Sequence, residues 1–141
     1  MKSKAPLVMM EQIVMVLVFA LAAALCLQTY VLSGVISKRT EAKNRAVVEA
    51  QNVAETMKNG GFNEYLDCYD PEQRGTVWCT LLSADWQITK EESLAEYVIT
   101  VSYEESDTLC LWLAEIILEE ADGEELVRLS TAGQTEVLRN E

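Results

Sequence analysis

Glu11 is the residue whose type and position most need an explanation. It stands directly before 26 residues, 12–37, that carry no charge at all. A carboxylate costs a few kcal/mol at the centre of a bilayer and less near its surface, so something must offset that cost. Either Glu11 sits at headgroup level, or it pairs with a cation from a neighbouring subunit. The other reactive residues form no constellation. The chain has no His, which removes the commonest general base and the commonest transition-metal ligand. Ser33 and Ser130 have no nucleophile motif around them. The pairs Glu91-Glu92, Glu104-Glu105, Glu119-Glu120 and Glu124-Glu125 invite an acid/base or calcium reading. Adjacent strand residues point to opposite faces, though, and no EF-hand spacing is present, so these read as solvated edges and turns. The expectation is a chain that is not an enzyme, with no cofactor, no metal and no small-molecule substrate.

Four cysteines complete the set of reactive side chains. Cys26 lies inside the apolar run and reads as a membrane thiol. Cys68, Cys79 and Cys110 fall in the polar part, and three thiols allow at most one bridge within a monomer. Cys68 and Cys79 are 11 positions apart around Asp70-Pro71 and Gly75. They either close a small disulfide loop or remain two buried thiols. No CxxC pattern suggests zinc or redox work.

The elements that hold these residues divide the chain of 141 residues into parts. Residues 1–6 are a short leader with Lys2 and Lys4. Residues 7–37 form a transmembrane helix, since about 20 apolar residues cross a ~30 Å hydrocarbon core. Residues 38–60 change in polarity, not in secondary structure. Ala42, Ala46, Ala50, Val53, Ala54 and Met57 recur at three- and four-residue steps, which gives an amphipathic helix with a narrow face of small residues. Asn59-Gly60-Gly61 is read as its stop. One helix over 6–58 would be roughly 80 Å long at 1.5 Å per residue.

Residues 61–141 form an acidic, β-rich soluble domain, with 62–75 rich in turns. Strands are expected over 76–82, over 96–103 with Tyr97, Ile99, Val101 and Tyr103 on one face, and over 108–118. Asp122-Gly123 then turns a hairpin back into 125–131. A meander of three or four strands needs one face covered, and the stripe of residues 42–57 is the obvious cover. Trp78, Trp86 and Trp112 read as sheet core. The fold class is therefore α+β: a long N-terminal helix, half transmembrane and half amphipathic, packed on a small antiparallel β-meander.

Charge excludes one class of partner. Residues 1–60 carry seven Lys/Arg and four Glu, a balance of +3, and residues 61–141 carry four Lys/Arg and 19 Asp/Glu, a balance of −15. A domain of that sign repels nucleic acid and anionic headgroups, and reads first as a solubility device.

The stretch KAPLVMMEQIVMVLVFALAAALCL after a basic leader resembles the N-terminus of type IV pilins and of the pseudopilins of type II secretion. The string DWQITKEESLAEYVITVSYEE, followed by a hairpin, is similar to small pseudopilin-like proteins of Gram-positive bacteria. The resemblance implies a helix that leaves the membrane and packs on an antiparallel sheet. It also implies a leader removed just before the apolar segment, and a glutamate as fifth residue of the mature chain. Counting Leu7 as first makes Glu11 fifth. The family has Gly, less often Ala, before the cut, whereas here Pro6 follows Ala5; cleavage after Ala5 would make Glu11 sixth.

Implied partners are membrane lipid and other pilin-like subunits, with Glu11 meeting a neighbour's new amino terminus. Lys38, Arg39, Lys43 and Arg45 follow the span, and the positive-inside rule would put that side in the cytoplasm. The resemblance implies an extracytoplasmic domain on a single-pass cell-membrane protein, and that is the expectation adopted. The alternative is an unprocessed signal-anchored surface protein with a protein-binding sheet domain.

Overall fold

The computed structural model describes residues 5–106 and 111–134. It contains one long helix and one antiparallel sheet, consistent with the α+β class. Two compact units divide at Glu41/Ala42.

In the first unit the only described element is helix α1, which runs over Ala5–Tyr69. Its most apolar 18-residue window has a mean hydropathy of 2.3 and buries none of its side chains in the protein's own fold. Phe19 and Tyr30 are each 80% exposed. A core helix would be covered by its own chain; this one is long and apolar enough to cross a membrane.

The second unit begins with the rest of α1. Ala46, Ala50, Val53, Ala54 and Met57 are buried on one side, as the stripe predicted. The expected stop is a break rather than an end. Gly61 has φ 75° and ψ −174°, a conformation open essentially to glycine alone, and the helix resumes beyond it to Tyr69. Residues 62–69, expected to be rich in turns, are therefore helical. The reason is legible in their spacing: Phe62, Tyr65, Leu66 and Tyr69 fall at helical intervals and present one aromatic face to the sheet.

The sheet comprises β1 (Glu72–Arg74), β2 (Val77–Ser83), β3 (Ile88–Thr89), β4 (Ala95–Ser106), β5 (Leu111–Glu120) and β6 (Glu125–Gln134). Its order is β1-β2-β4-β5-β6, all antiparallel, with β3 also paired to β2. Since β4 runs along the whole of β2, the short strands β1 and β3 share β2's other edge. These two strands add to the three or four expected. The long strands match expectation, although the predicted start of β5 at 108 lies outside the described residues. Gly123, at φ 92°, makes the β5–β6 hairpin turn by donating its N–H to the Glu120 carbonyl at 2.8 Å.

Period-two alternation sorts the sheet into two faces. Ile99 and Val101 of β4, Ala114, Ile116 and Leu118 of β5 and Leu82 of β2 are buried in one cluster with the α1 stripe. Trp112 is buried there too, and it lies directly over Gly133, where any Cβ would collide with the indole. Trp78 and Trp86 are half-buried against this core. The opposite face presents Val77, Cys79 and Leu81, then Val98 and Thr100, then Leu113, Glu115 and Ile117.

Candidate assembly surface

Glu11 projects from the first turns of α1 and is exposed, as are Pro6 and Leu7. Of the residues named for leader processing, Ala5 begins the helix, so Ala5, Pro6 and Leu7 all lie in helical backbone. Glu11 makes no ion pair among the described residues. Around it the surface is Leu, Val, Met and Ile. One polar interruption further along is absorbed locally: the Thr29 hydroxyl donates to the Leu25 and Cys26 carbonyls at 3.1 and 2.9 Å. Thr40 does the same to Ile36 at 2.9 Å. Hydroxyls satisfied in this way leave the outer surface apolar.

The aromatic seam beyond Gly61 fixes α1 to the sheet. Phe62 stacks on Tyr103 with centroids 4.3 Å apart and meets Trp78 edge-on at 5.6 Å. Tyr65 stacks on Tyr69 at 5.4 Å. The Tyr65 hydroxyl and Thr80 Oγ1 are 3.4 Å apart, and burial pushes the tyrosine pKa up to about 12. Tyr69 donates to Glu49 Oε1 at 3.3 Å. Burial first, and the Glu49 carboxylate second, raise the Tyr69 pKa well above the usual range.

The proposed Cys68–Cys79 loop is not formed, and neither thiol is fully buried. Helical backbone through 62–69 leaves Cys68 in solvent, while alternation along β2 turns Cys79 to the face away from α1. There its sulfur lies 3.9 Å from Thr100 Oγ1. Cys110 lies outside the described residues.

An open groove of about 770 Å³ runs between α1 and the β2–β3 turn, lined among others by Glu49, Glu55, Glu64, Cys68, Tyr69 and Trp86. No group of three potential metal ligands occurs among the described residues. The cations of the sheet are taken up by local ion pairs. Arg74 reaches Glu92 at 3.0 Å, Lys90 reaches Asp70 at 2.6 Å, and Arg128 reaches Glu115 at 2.9 Å and Glu125 at 2.8 Å. The Arg128 hydrogen bonds hold the Glu125 carboxyl below its usual pKa.

The groove carboxylates and the aromatic seam were not singled out from sequence. The seam had a signal, the helical spacing of 62, 65, 66 and 69; the groove had none, because its walls are far apart in the chain. No family profile matches the chain, and neither a curated protein nor a solved structure is similar to it at a significant level.

Proposed function

We propose that this chain is a non-enzymatic, membrane-anchored assembly subunit of the type IV pilin or type II secretion pseudopilin kind. The observation that carries the reading is the uncovered apolar surface of α1, headed by Glu11, which makes no ion pair among the described residues. Lipid covers such a surface, and so do equivalent helices of other subunits. Ala20, Ala22, Ala23 and Ala24 allow those helices to approach closely. Glu11 then offsets its desolvation by pairing with the amino terminus of a neighbouring pilin-like subunit. The sheet domain stands on the extracytoplasmic side, and its acidity keeps it soluble and off anionic headgroups. Glu11→Ala in the full-length chain should abolish co-assembly in native membranes while leaving membrane insertion intact. Unchanged assembly would sink the pairing.

Pro6 favours a second reading, an unprocessed single-pass surface protein whose sheet domain binds a protein. The two readings part at the mature amino terminus. Intact mass of the chain from native membranes shows the loss of residues 1–6, or of 1–5, under the first, and a chain beginning at Met1 under the second.

A further inference from the structure

The charge of the chain changes most abruptly just past the apolar run. Residues 38–45 carry Lys38, Arg39, Lys43 and Arg45 against one carboxylate, Glu41. All five side chains are exposed. Lys38, Lys43 and Arg45 make no ion pair among the described residues. The cations of the sheet, Arg74, Lys90 and Arg128, are instead committed to carboxylates of the same chain. On one side of this basic segment lies a stretch of helix that buries nothing in its own fold. On the other, residues 61–141 carry a balance of −15.

The apolar run alone does not fix the depth of the span. Its 26 residues are roughly 39 Å long as a helix, against a hydrocarbon core of ~30 Å. Helix α1 continues beyond the run and breaks only at Gly61. Residues 38–45 cover about 10 Å of helix axis, a length comparable to one headgroup layer. Helical side chains lean toward the N-terminus, which here is back toward the membrane. Long cationic side chains at 43 and 45 therefore reach headgroups that lie below their own Cα atoms. We propose that Lys38, Arg39, Lys43 and Arg45 bind anionic phospholipid headgroups and so set the depth of α1 in the bilayer. The inference rests on the membrane-anchored part of the reading above and needs no second subunit.

A lipid surface is the occupant that the geometry favours. Lys43 and Arg45 are two residues apart, about 200° around the helix, and lie on nearly opposite sides of it. A folded partner with an acidic face docks on one side of a helix and meets one of them. A bilayer pierced by the helix surrounds it and meets both. The two charged parts of the chain then act together. An anionic leaflet draws residues 38–45 into its phosphate layer and holds the acidic domain clear of it.

The test uses the full-length chain reconstituted at one copy per phosphatidylcholine nanodisc. Trace spin-labelled phosphatidylglycerol or phosphatidylcholine is added, and electron paramagnetic resonance reads the fraction of lipid restricted at the protein surface. Phosphatidylglycerol should be enriched over phosphatidylcholine by about fivefold or more, the effect of a single cation at an anionic surface. Lys38→Gln, Arg39→Gln, Lys43→Gln and Arg45→Gln together should bring the ratio to about one, with unchanged Trp fluorescence from the sheet domain. Lys2→Gln with Lys4→Gln, at the other end of the span, should keep the larger part of it. A preference that survives the fourfold variant, or disappears with Lys2 and Lys4 instead, overturns the proposal. So does a preference abolished by inorganic phosphate but not by chloride of equal ionic strength, which marks a site for free phosphate. Restricted lipid without preference defeats the headgroup site and leaves the anchor standing; no restricted lipid of either kind defeats both.

Discussion

Residues 7–36 of α1 are Leu, Val, Met, Ile and Phe at most apolar positions, whereas the stripe of 46–57 is three alanines, one valine and one methionine. The bulky set is uncovered along its whole length and the small set is buried. Hydrophobicity alone would rank them the other way. Side-chain volume explains the difference. Ala46, Ala50 and Ala54 let the helix axis approach the sheet closely enough for Ile116 and Leu118 to fill the gap, and the polar residues between them face water. A helix carrying large apolar residues on every side has no face to give to water, so no sheet on one side could satisfy it. Its complement is a solvent that surrounds it.

The sharpest way to break this contrast is to remove the same kind of volume from each region. Ile116→Ala opens a cavity among fully buried neighbours and should destabilise the sheet domain by about 2–5 kcal/mol. Ile13→Ala, in the uncovered stretch, should leave that stability unchanged. All three tryptophans lie in the sheet domain, so denaturant titration of the full chain in detergent, followed by Trp fluorescence, reads the domain alone. Equal losses from the two variants would mean that the span contributes to the domain's core.

Much of this contrast was legible from the sequence, because both periods are strong. The charge-free run, the small-residue stripe and the alternation through Tyr97–Tyr103 each followed from one local pattern. The misreadings came where two signals competed. Asn59-Gly60-Gly61 is a helix stop by composition, but the aromatic spacing of 62–69 restarts the helix after a single non-helical residue. The turn residues Asp70-Pro71 and Gly75 suggest a Cys68–Cys79 loop, but the helix continues through Tyr69 and leaves Cys68 in solvent. The short strands β1 and β3 have no pattern of their own, since three- and two-residue strands exist only because β2 offers an edge. Glu11 was recognisable as unusual from sequence, but what it pairs with depends on other chains.

The aromatic seam gives a test in alkali. Tyr65 ionises near pH 10 when unfolded, and burial holds its folded pKa at about 12. Below pH 10 both states keep the proton and its contribution is complete. Between pH 10 and 12 only the unfolded state loses it, so stability falls as pH rises, by about 2 kcal/mol from this residue. Tyr69 shifts in the same direction and adds to the decline. In Tyr65→Phe the slope of denaturation free energy against pH over this window should flatten markedly. A slope identical to that of the parent chain would mean that the seam opens before the phenol ionises.

Adding volume sharpens the same comparison from the other side. Ala50→Leu forces a larger side chain between α1 and the sheet and should cost about 1–3 kcal/mol by the same titration. Ala23→Leu should cost the domain nothing, and should instead weaken any close helix contact within the membrane. Were Ala50→Leu neutral, the helix and sheet would be less closely fitted than the buried stripe implies.

Two buried threonines give the finest test, because the sheet itself contains both kinds of polar burial. Thr80 Oγ1 lies within hydrogen-bonding distance of the Tyr65 hydroxyl, at 3.4 Å, whereas Thr131 Oγ1 is buried without a partner among the described residues. Valine is nearly isosteric with threonine, so the substitution removes a hydroxyl and little else. At Thr80 it strands the buried Tyr65 hydroxyl and should destabilise by about 1 kcal/mol. At Thr131 it relieves an uncompensated desolvation and should stabilise by up to about 1 kcal/mol. Opposite signs from one chemical change would show that the sheet's buried polar groups are worth what their partners make them worth. A loss at Thr131 as well would mean that its hydroxyl is bonded in solution.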